Sequence, residues 1–272
     1  RVCITTKSGT QVMFPNVTDA TDKWVHIAVV IDQNIGATNN IELYANGVSK
    51  GTSSTQSSGD IECTDEIAIG MQGYTDNQLT NDAHKGKIAK VGFWTRALNA
   101  SEVQNVMYKT YSDLKGSELT HLRNWWELDN ISGTTAPDSH SDDDGTLGGT
   151  SSTPTVKTIY GGGAPRKPRG FDNAPEAQAD LIGSGSMYMS ATTEGCRMSN
   201  STSIRRDGDF SCAFWFKSPG STSEQFWVGM SNATVGASAS NWYIRDWSTA
   251  GRIYLFIMKS NGFTDTVKTT NG

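Results

Sequence analysis

The stretch DKWVHIAVVID, residues 22–32, has the composition of a β-strand, yet both of its faces are apolar. Side chains of a strand alternate between its two faces, so one face carries a β-branched row: Val25, Ile27, Val29 and Ile31. The opposite face carries a row with two rings: Trp24, His26, Ala28 and Val30. The stretch therefore raises two questions, namely which row faces the core and what the other row contacts.

The rest of the first hundred residues consists of short alternating runs separated by turn residues, a pattern typical of a β-sandwich or jelly roll. In NNIELYANGVSKGT, residues 39–52, the alternation ends at Asn46-Gly47, a strong hairpin signal. TDEIAIGMQGY and KGKIAKVGFWTRAL predict two further strands. Asn99 with Glu102 three residues later predicts a helix that begins with a capping box.

A second group of strands is predicted in the last third of the chain, in GSMYMSATT, DFSCAFWFKS, QFWVGM, NWYIRDW and RIYLFIMKSNG. The segment DFSCAFWFKS, residues 209–218, repeats the two-faced pattern, with Phe, Cys, Phe and Phe in one row and Ala213, Trp215 and Lys217 in the other. Residues 109–180 are rich in Gly, Pro, Ser, Thr and Asp, which favours loops. Within them LRNWWELDN has the pattern of a strand.

Composition limits the classes of partner. Of the 272 residues 19% are charged, and the formal net charge of -5 argues against nucleic-acid binding. No run of about 18 apolar residues is present, so we expect no membrane span. The abundance of Gly, Ser and Thr is typical of extracellular or virion all-β proteins. Cys3 and Cys212 lie in apolar rows, so we expect buried free thiols, with one disulfide as the alternative in an oxidising compartment.

These motifs carry a family resemblance. DKWVHIAVVID, IELYANGVSKGT, IAIGMQGY and GKIAKVGFWTRALNASEVQNVMY occur in order within residues 1–111. This segment resembles the C-terminal half of a laminin-G-like, concanavalin A-like jelly roll. NWWELDNISGTTAPDSHSDDDGTL, GSMYMSATTEGCRMSNSTSI and DFSCAFWFK resemble the N-terminal half of the same family. The resemblance therefore implies an all-β jelly-roll sandwich whose halves occur in reversed order along the chain.

A near-repeat accounts for this order. RVCITTKSGT at residue 1 aligns with RIYLFIMKSNG at residue 252, an offset of about 251 residues. We interpret residues 1–111 as the C-terminal half of one repeat, 112–180 as a connecting region with the first strand of the next repeat, and 181–272 as the N-terminal half of that repeat. Either the two halves close on each other as a permuted sandwich, or each is completed by a neighbouring copy.

Two groups of residues are candidates for binding. The resemblance places Trp24, His26 and Trp215 in the concave outer groove, where aromatic faces could hold sugar rings. We then expect Trp24→Ala and Trp215→Ala to abolish glycan retention without unfolding the protein. The alternative is that connecting segments cover the groove and that these side chains are simply packed.

The acidic loop gives the second group, because Asp138, Asp142 and Asp144, near Asp143, offer the oxygen ligands that Ca²⁺ prefers. A solvated acidic loop is the alternative interpretation. No cofactor is required by the sequence, and calcium is the candidate.

We expect no enzymatic activity, because glucanases of this fold use a strand-borne Glu-x-Asp-x-x-Glu set that is missing here. Two functions follow. The first is a structural and adhesive repeat of an extracellular or virion fibre, which binds other copies of itself and also glycans. The second is a discrete lectin for a cell-surface polysaccharide. A fibre repeat should polymerise without ligand, whereas a lectin should stay discrete.

Overall fold

The computed structural model describes thirteen segments of the chain. They are residues 2–5, 11–14, 24–36, 40–53, 67–71, 84–149, 153–158, 185–190, 194–198, 209–218, 225–230, 242–247 and 252–257. Within them the chain forms a β-sandwich of two sheets, with strands and helix numbered in chain order. The backbone alone is described for the first two strands, the last strand and parts of several others.

The first sheet, sheet 1, is antiparallel except where its first and last strands along the chain pair in parallel. Its described strands, in spatial order, are β2 (Gln11–Phe14), β1 (Val2–Thr5), β17 (Arg252–Ile257), β16 (Trp242–Trp247), β15 (Gln225–Met230), β6 (Ile67–Ile69), β13 (Glu194–Met198), β10 (Gly145–Gly149) and β9 (Thr135–Ala136).

The second sheet, sheet 2, is antiparallel throughout its described strands. In spatial order these are β11 (Thr155–Thr158), β12 (Gly185–Met189), β7 (Gly86–Trp94), β14 (Phe210–Lys217), β3 (Trp24–Ile31), β4 (Ile41–Ala45) and β5 (Val48–Ser53), with β8 (Leu122–Trp126) on the C-terminal part of β7.

The strand order joins the two ends of the chain in one sandwich. β14 lies between β3 and β7, with Phe214 opposite Ile27 and Phe216 opposite Ile88. In sheet 1, β6 lies between β13 and β15. Both sheets thus contain paired strands from the segments 1–111 and 181–272. In this single chain the two segments pair with each other, as in the permuted sandwich considered from the sequence.

The core between the sheets answers the first question about the opening strand. The β-branched row of β3 is buried between the sheets, together with the Phe row of β14. Phe216 stacks on Trp227 of sheet 1 with ring centroids 4.0 Å apart. Cys212 and Cys196 are buried free thiols in this core, which confirms that expectation for Cys212. The side chain of Cys3 and all of Cys63 lie outside what the structure describes.

The local turn signals are confirmed. The β4–β5 turn has Asn46 at φ 50° and Gly47 at φ 71°, the paired positive φ values of the hairpin turn that Asn-Gly favours. Helix α1 (Ala100–Val106) begins at Asn99, whose side chain accepts the Glu102 N–H while the Glu102 carboxylate accepts the Asn99 N–H. This reciprocal pair is the capping box that the sequence predicts.

The outer face of sheet 2 is covered by residues 95–121, which we call the cover. It comprises α1 and two 3₁₀ helices, Tyr111–Asp113 and Gly116–Leu119. Val103 and Val106 of α1 pack with Ala28, Val30 and Tyr44 of the sheet. Ser211 of β14 joins sheet and cover, since its hydroxyl donates to the Arg96 carbonyl and accepts the Leu98 N–H, both at 2.9 Å. The second row of β3 is therefore buried as well.

Arg96 holds the parts of the cover together. Its guanidinium forms two hydrogen bonds to the Glu102 carboxylate, at 2.7 and 2.8 Å. It also donates to the carbonyls of Thr120 and Ser117. Burial by itself raises the pKa of Glu102, but hydrogen bonds from Arg96, Ser117 and the Asn99 backbone outweigh it and lower the pKa to about 2.

This arrangement predicts an acid-sensitive cover. The pKa of Glu102 is lower in the folded chain than its ordinary value of 4.5, so its stabilising effect is present above about pH 4.5 and is lost as the pH falls towards 2. We expect Glu102→Gln to lower the free energy of unfolding at neutral pH, and the difference from the wild type to shrink steadily between these two pH values. Denaturant unfolding across this pH range measures the free energy of unfolding of the wild type and of Glu102→Gln. A difference between the two that does not change with pH would contradict the lowered pKa of Glu102.

Candidate functional site

The structure brings Trp24, His26 and Trp215 together on the outer face of sheet 2. Trp215 lies opposite His26 on neighbouring strands, with ring centroids 5.3 Å apart. Trp24 and Trp215 pack with Met107 at the end of α1 and with Tyr108, and the Trp215 indole N–H donates to the Met107 carbonyl at 3.1 Å. Their exposed fractions are only 4% and 3%.

The sequence places Trp24, His26 and Trp215 in one open groove. The three side chains do lie close together, but they are buried and not accessible. The cover lies over them because its apolar residues are buried best against this second apolar row of the sheet. The structure thus matches the alternative interpretation, in which connecting segments cover the groove and the side chains are packed. An open aromatic platform at Trp24 and Trp215 is not present.

A buried lysine next to this cluster, with carboxylates around it, was not found from the sequence. Lys90 is 4% exposed and has φ 50°, and its backbone N–H donates to the Glu127 carbonyl. Burial lowers the pKa of Lys90, an effect opposed by Glu127, Asp129 and Asp113. Burial, aided by the charge of Lys90, lowers the pKa of His26 to about 3, so His26 is neutral in ordinary conditions.

Glu127 is held in place by the cover and by the neighbouring strand β8. Its carboxylate accepts the Tyr111 N–H at 2.6 Å and the Trp125 indole N–H at 2.8 Å. Burial raises the pKa of Glu127, while the charge of Lys90 and these hydrogen bonds oppose the rise. These partners fix the carboxylate, so its evident role is to bind the cover to sheet 2.

The acidic loop forms a tight hydrogen-bonded turn. One Asp138 carboxylate oxygen accepts the backbone N–H groups of Trp125 and His140, and the other accepts from Asn124 and from the Ser141 hydroxyl. The Asp138 N–H in turn donates to Asp144 at 2.8 Å. Asp142 is exposed.

The two carboxylate oxygens of Asp138 thus already accept four hydrogen bonds. These hydrogen bonds account for the conformation of the loop without an ion. Among the described residues, no three His, Cys, Asp or Glu side chains are grouped so that they could hold a metal ion.

Among the described residues, an open part of the outer face of sheet 2 lies where β7, β12 and the end of β14 meet. A cleft of about 280 Å³ lies there, and we call it the lysine cleft; its lining residues are Lys85, Gly86, Lys87, Tyr188, Met189, Ser190 and Lys217. Lys87 is opposite Tyr188 on one neighbouring strand and opposite Lys217 on the other. Trp24 follows Lys217 in the same cross-strand row. The open cleft is therefore adjacent to the buried tryptophans.

Gly86 sets the shape of the lysine cleft. It has φ 149°, a conformation that favours glycine, and a Cβ built there would lie 2.2 Å from the Lys217 carbonyl oxygen and 2.6 Å from the His84 ring. The start of β7 can therefore approach the end of β14 closely only with glycine at this position. His84 is itself fixed, since its Nδ1 accepts the Trp227 indole N–H at 3.0 Å.

The chemistry of the lysine cleft differs from that of the rest of the outer face. Tyr188, Lys87 and Lys217 are half-buried, whereas Lys85 and Ser190 are exposed. The cleft offers one aromatic ring beside three ammonium groups, which are donors without acceptor capacity. Alternation along β14 predicts that Lys217 lies on the same face as Trp215. It does not predict that Tyr188 and Lys87 lie beside Lys217, because that depends on the register between strands that are distant in the sequence.

The two-sheet architecture is consistent with a concanavalin A-like jelly-roll sandwich. Residues 3–104 match the family model of the concanavalin A-like lectin/glucanases superfamily, which confirms the sequence resemblance over this segment and supports a fold of the generic carbohydrate-binding type. Comparison with curated proteins and with solved structures gives no significant match. Among the described residues, none of the helices has the length and apolar character needed to cross a bilayer.

Burial predicts what substitution of the tryptophans does. We expect Trp24→Ala and Trp215→Ala each to lower the free energy of unfolding by about 3–5 kcal/mol, because each removes a buried ring and leaves a cavity under the cover. Val48→Ala, at a position 57% exposed, is the control and should change it by less than about 0.5 kcal/mol. Denaturant unfolding decides, and tryptophan variants of wild-type stability would show that the rings are not buried.

Proposed function

We propose that this chain is a non-catalytic carbohydrate-binding domain that acts in adhesion at an extracellular or virion surface, and that the lysine cleft holds the saccharide. The observation that carries the proposal is that a sandwich of lectin type leaves open, on the outer face of sheet 2, a cleft with an aromatic ring and several hydrogen-bond donors. Within the part of the chain that the structure describes, the tryptophans of the predicted groove are covered, whereas this adjacent cleft is accessible.

The lining of the lysine cleft suits a sugar. The apolar face of a pyranose ring can pack on an aromatic side chain, which Tyr188 provides. The Ser190 hydroxyl and the lysine ammonium groups can bind ring hydroxyls. The volume lies just below the range of about 300–1,000 Å³ for small-molecule sites, which favours a short saccharide or the end of a chain.

The lining of the lysine cleft favours binding of a saccharide without hydrolysis. Glycoside hydrolysis normally needs two carboxyl groups on either side of the scissile bond. The described residues that line the lysine cleft include neither Asp nor Glu. Glu194 lies behind Ser190, but it is buried and accepts both the N–H and the hydroxyl of Ser190.

A role as a repeat in a fibre is supported by a separate observation. β1 and β17 pair in parallel with Val2 opposite Ile253 and Cys3 opposite Tyr254, which is the offset of 251 residues at which the sequence begins to repeat. Two similar strands thus occupy neighbouring positions of sheet 1. In a tandem array, a strand of one copy could take the position of its equivalent in the next copy, as in strand exchange. A discrete lectin is the alternative.

Substitution of Tyr188 tests the proposed binding site. On a glycan array, and then by calorimetry with the best saccharide, we expect Tyr188→Ala to weaken binding about tenfold, since an aromatic contact of ~1.5 kcal/mol has that effect on Kd. Tyr188→Phe keeps the ring and should keep most of the affinity. A wild-type chain that binds no saccharide would overturn the proposal, as would equal affinities of the wild type and Tyr188→Ala.

A further inference from the structure

We infer that Ser190 is a fixed hydrogen-bond acceptor on the wall of the lysine cleft, and that it selects saccharides with an unsubstituted hydroxyl group opposite it. Glu194, which is buried behind Ser190, holds the hydroxyl in this state. The selection rests on the proposed carbohydrate-binding function and names the chemical group that the same site recognises.

Ser190 and Glu194 lie on either side of the connection from β12 to β13. Ser190 directly follows Met189, the last residue of β12 in sheet 2, and Glu194 is the first residue of β13 in sheet 1. Glu194 is 1% exposed, whereas Ser190 is exposed and lines the cleft. The pair therefore joins a buried carboxylate to a hydroxyl that a ligand can reach.

The Glu194 carboxylate accepts both hydrogen-bond donors of Ser190. One carboxylate oxygen accepts the Ser190 N–H at 2.6 Å, and the other accepts the Ser190 hydroxyl at 3.1 Å. A serine hydroxyl has one proton to donate and two lone pairs that accept. Because that proton is directed at Glu194, the Ser190 oxygen offers acceptor capacity, and not a donor, to a ligand in the cleft.

This acceptor determines which form of a sugar hydroxyl fits. Ammonium groups have no acceptor capacity, so none of the lysines that line the cleft can take the place of Ser190. A free sugar hydroxyl can donate its proton to the Ser190 oxygen. An ether oxygen, as at a glycosidically linked or methylated position, has no proton to donate. The cleft should therefore prefer a free hydroxyl, as at the end of a saccharide chain, over a substituted one.

Glu194 acts on a ligand only through Ser190 and is therefore a positioning residue. A glutamine at this position keeps the length of the side chain, but its amide nitrogen donates a hydrogen bond where a carboxylate oxygen accepts one. With that nitrogen facing the Ser190 oxygen, the hydroxyl proton is released towards the cleft. Glu194→Gln should thus turn Ser190 from an acceptor into a donor for the ligand.

The test measures, by calorimetry on the full chain, the Kd of the trisaccharide bound most tightly among homotrisaccharides of glucose, galactose, mannose and N-acetylglucosamine. The same trisaccharide is then measured with one hydroxyl at a time replaced by fluorine, which is close to a hydroxyl in size but cannot donate a hydrogen bond. For the wild type, we expect fluorine at one position to weaken binding about tenfold, the effect of losing ~1.4 kcal/mol. Ser190→Ala should weaken binding of the parent sugar about tenfold, and fluorine at that position should then have no further effect.

Two further variants complete the comparison. Glu194→Gln should reduce the effect of fluorine at that position to less than about threefold, because the released Ser190 proton can then bind an acceptor. Ser49→Ala is the matched control, on β5 at the far edge of sheet 2. The Ser49 hydroxyl likewise donates to a glutamate, Glu42, at 2.6 Å, and its removal should leave Kd unchanged.

Fluorine effects that are equal in the wild type and in Ser190→Ala at every position would overturn the inference and leave the proposed function standing. An unchanged fluorine effect in Glu194→Gln would show that Glu194 has only a structural role and would overturn its assignment. Ser190 is exposed, so Ser190→Ala carries the test even if Glu194→Gln does not fold. Failure of the chain to bind any of these trisaccharides would overturn the proposed function and the inference together.

Discussion

The structure depends on the insertion of β14 between β3 and β7. These strands come from opposite ends of the chain, and without β14 sheet 2 would be split in two, with unpaired backbone groups along both β3 and β7. The Phe row of β14 also fills the core against sheet 1, where Phe216 stacks on Trp227. Pairing of such distant segments is slow to form, so we regard it as the step that commits the chain to this fold.

The same strand determines where a ligand can bind. Its outer row runs from Ser211 through Ala213 and Trp215 to Lys217, and the cover lies over all but the last. Ser211 bonds to the cover at one end, and Trp215 bonds to the end of α1 near the other. Lys217, just beyond, lines the open cleft. Among the described residues of the groove, the aromatic part is thus buried and the basic end is accessible.

Local features of this fold could be predicted from the sequence, because each has a local physical cause. The Asn46-Gly47 turn needs positive φ, the Asn99–Glu102 capping box satisfies helix N–H groups, and strict alternation separates core and outer rows. Features that depend on distant segments could not be predicted from the sequence. The burial of Trp24 depends on how a separate segment folds over it, and the lysine cleft depends on the register that places Tyr188, Lys87 and Lys217 in one row.

The most direct test of the account is a disulfide between β7 and β14. Lys87→Cys and Lys217→Cys would be introduced in a background with Cys3→Ser and Cys63→Ser. The two positions are directly opposite each other on antiparallel strands. The Cα atoms of such a pair are about 4.5–5.5 Å apart, within reach of a disulfide. If β14 lies beside β7 of the same chain, the two cysteines form a linkage within one chain, at the mass of a monomer on a non-reducing gel. Lys50→Cys with Lys217→Cys, on non-adjacent strands, should give none. If Lys87→Cys and Lys217→Cys form a disulfide between two chains, or form none, the pairing of β14 with β7 within one chain is contradicted.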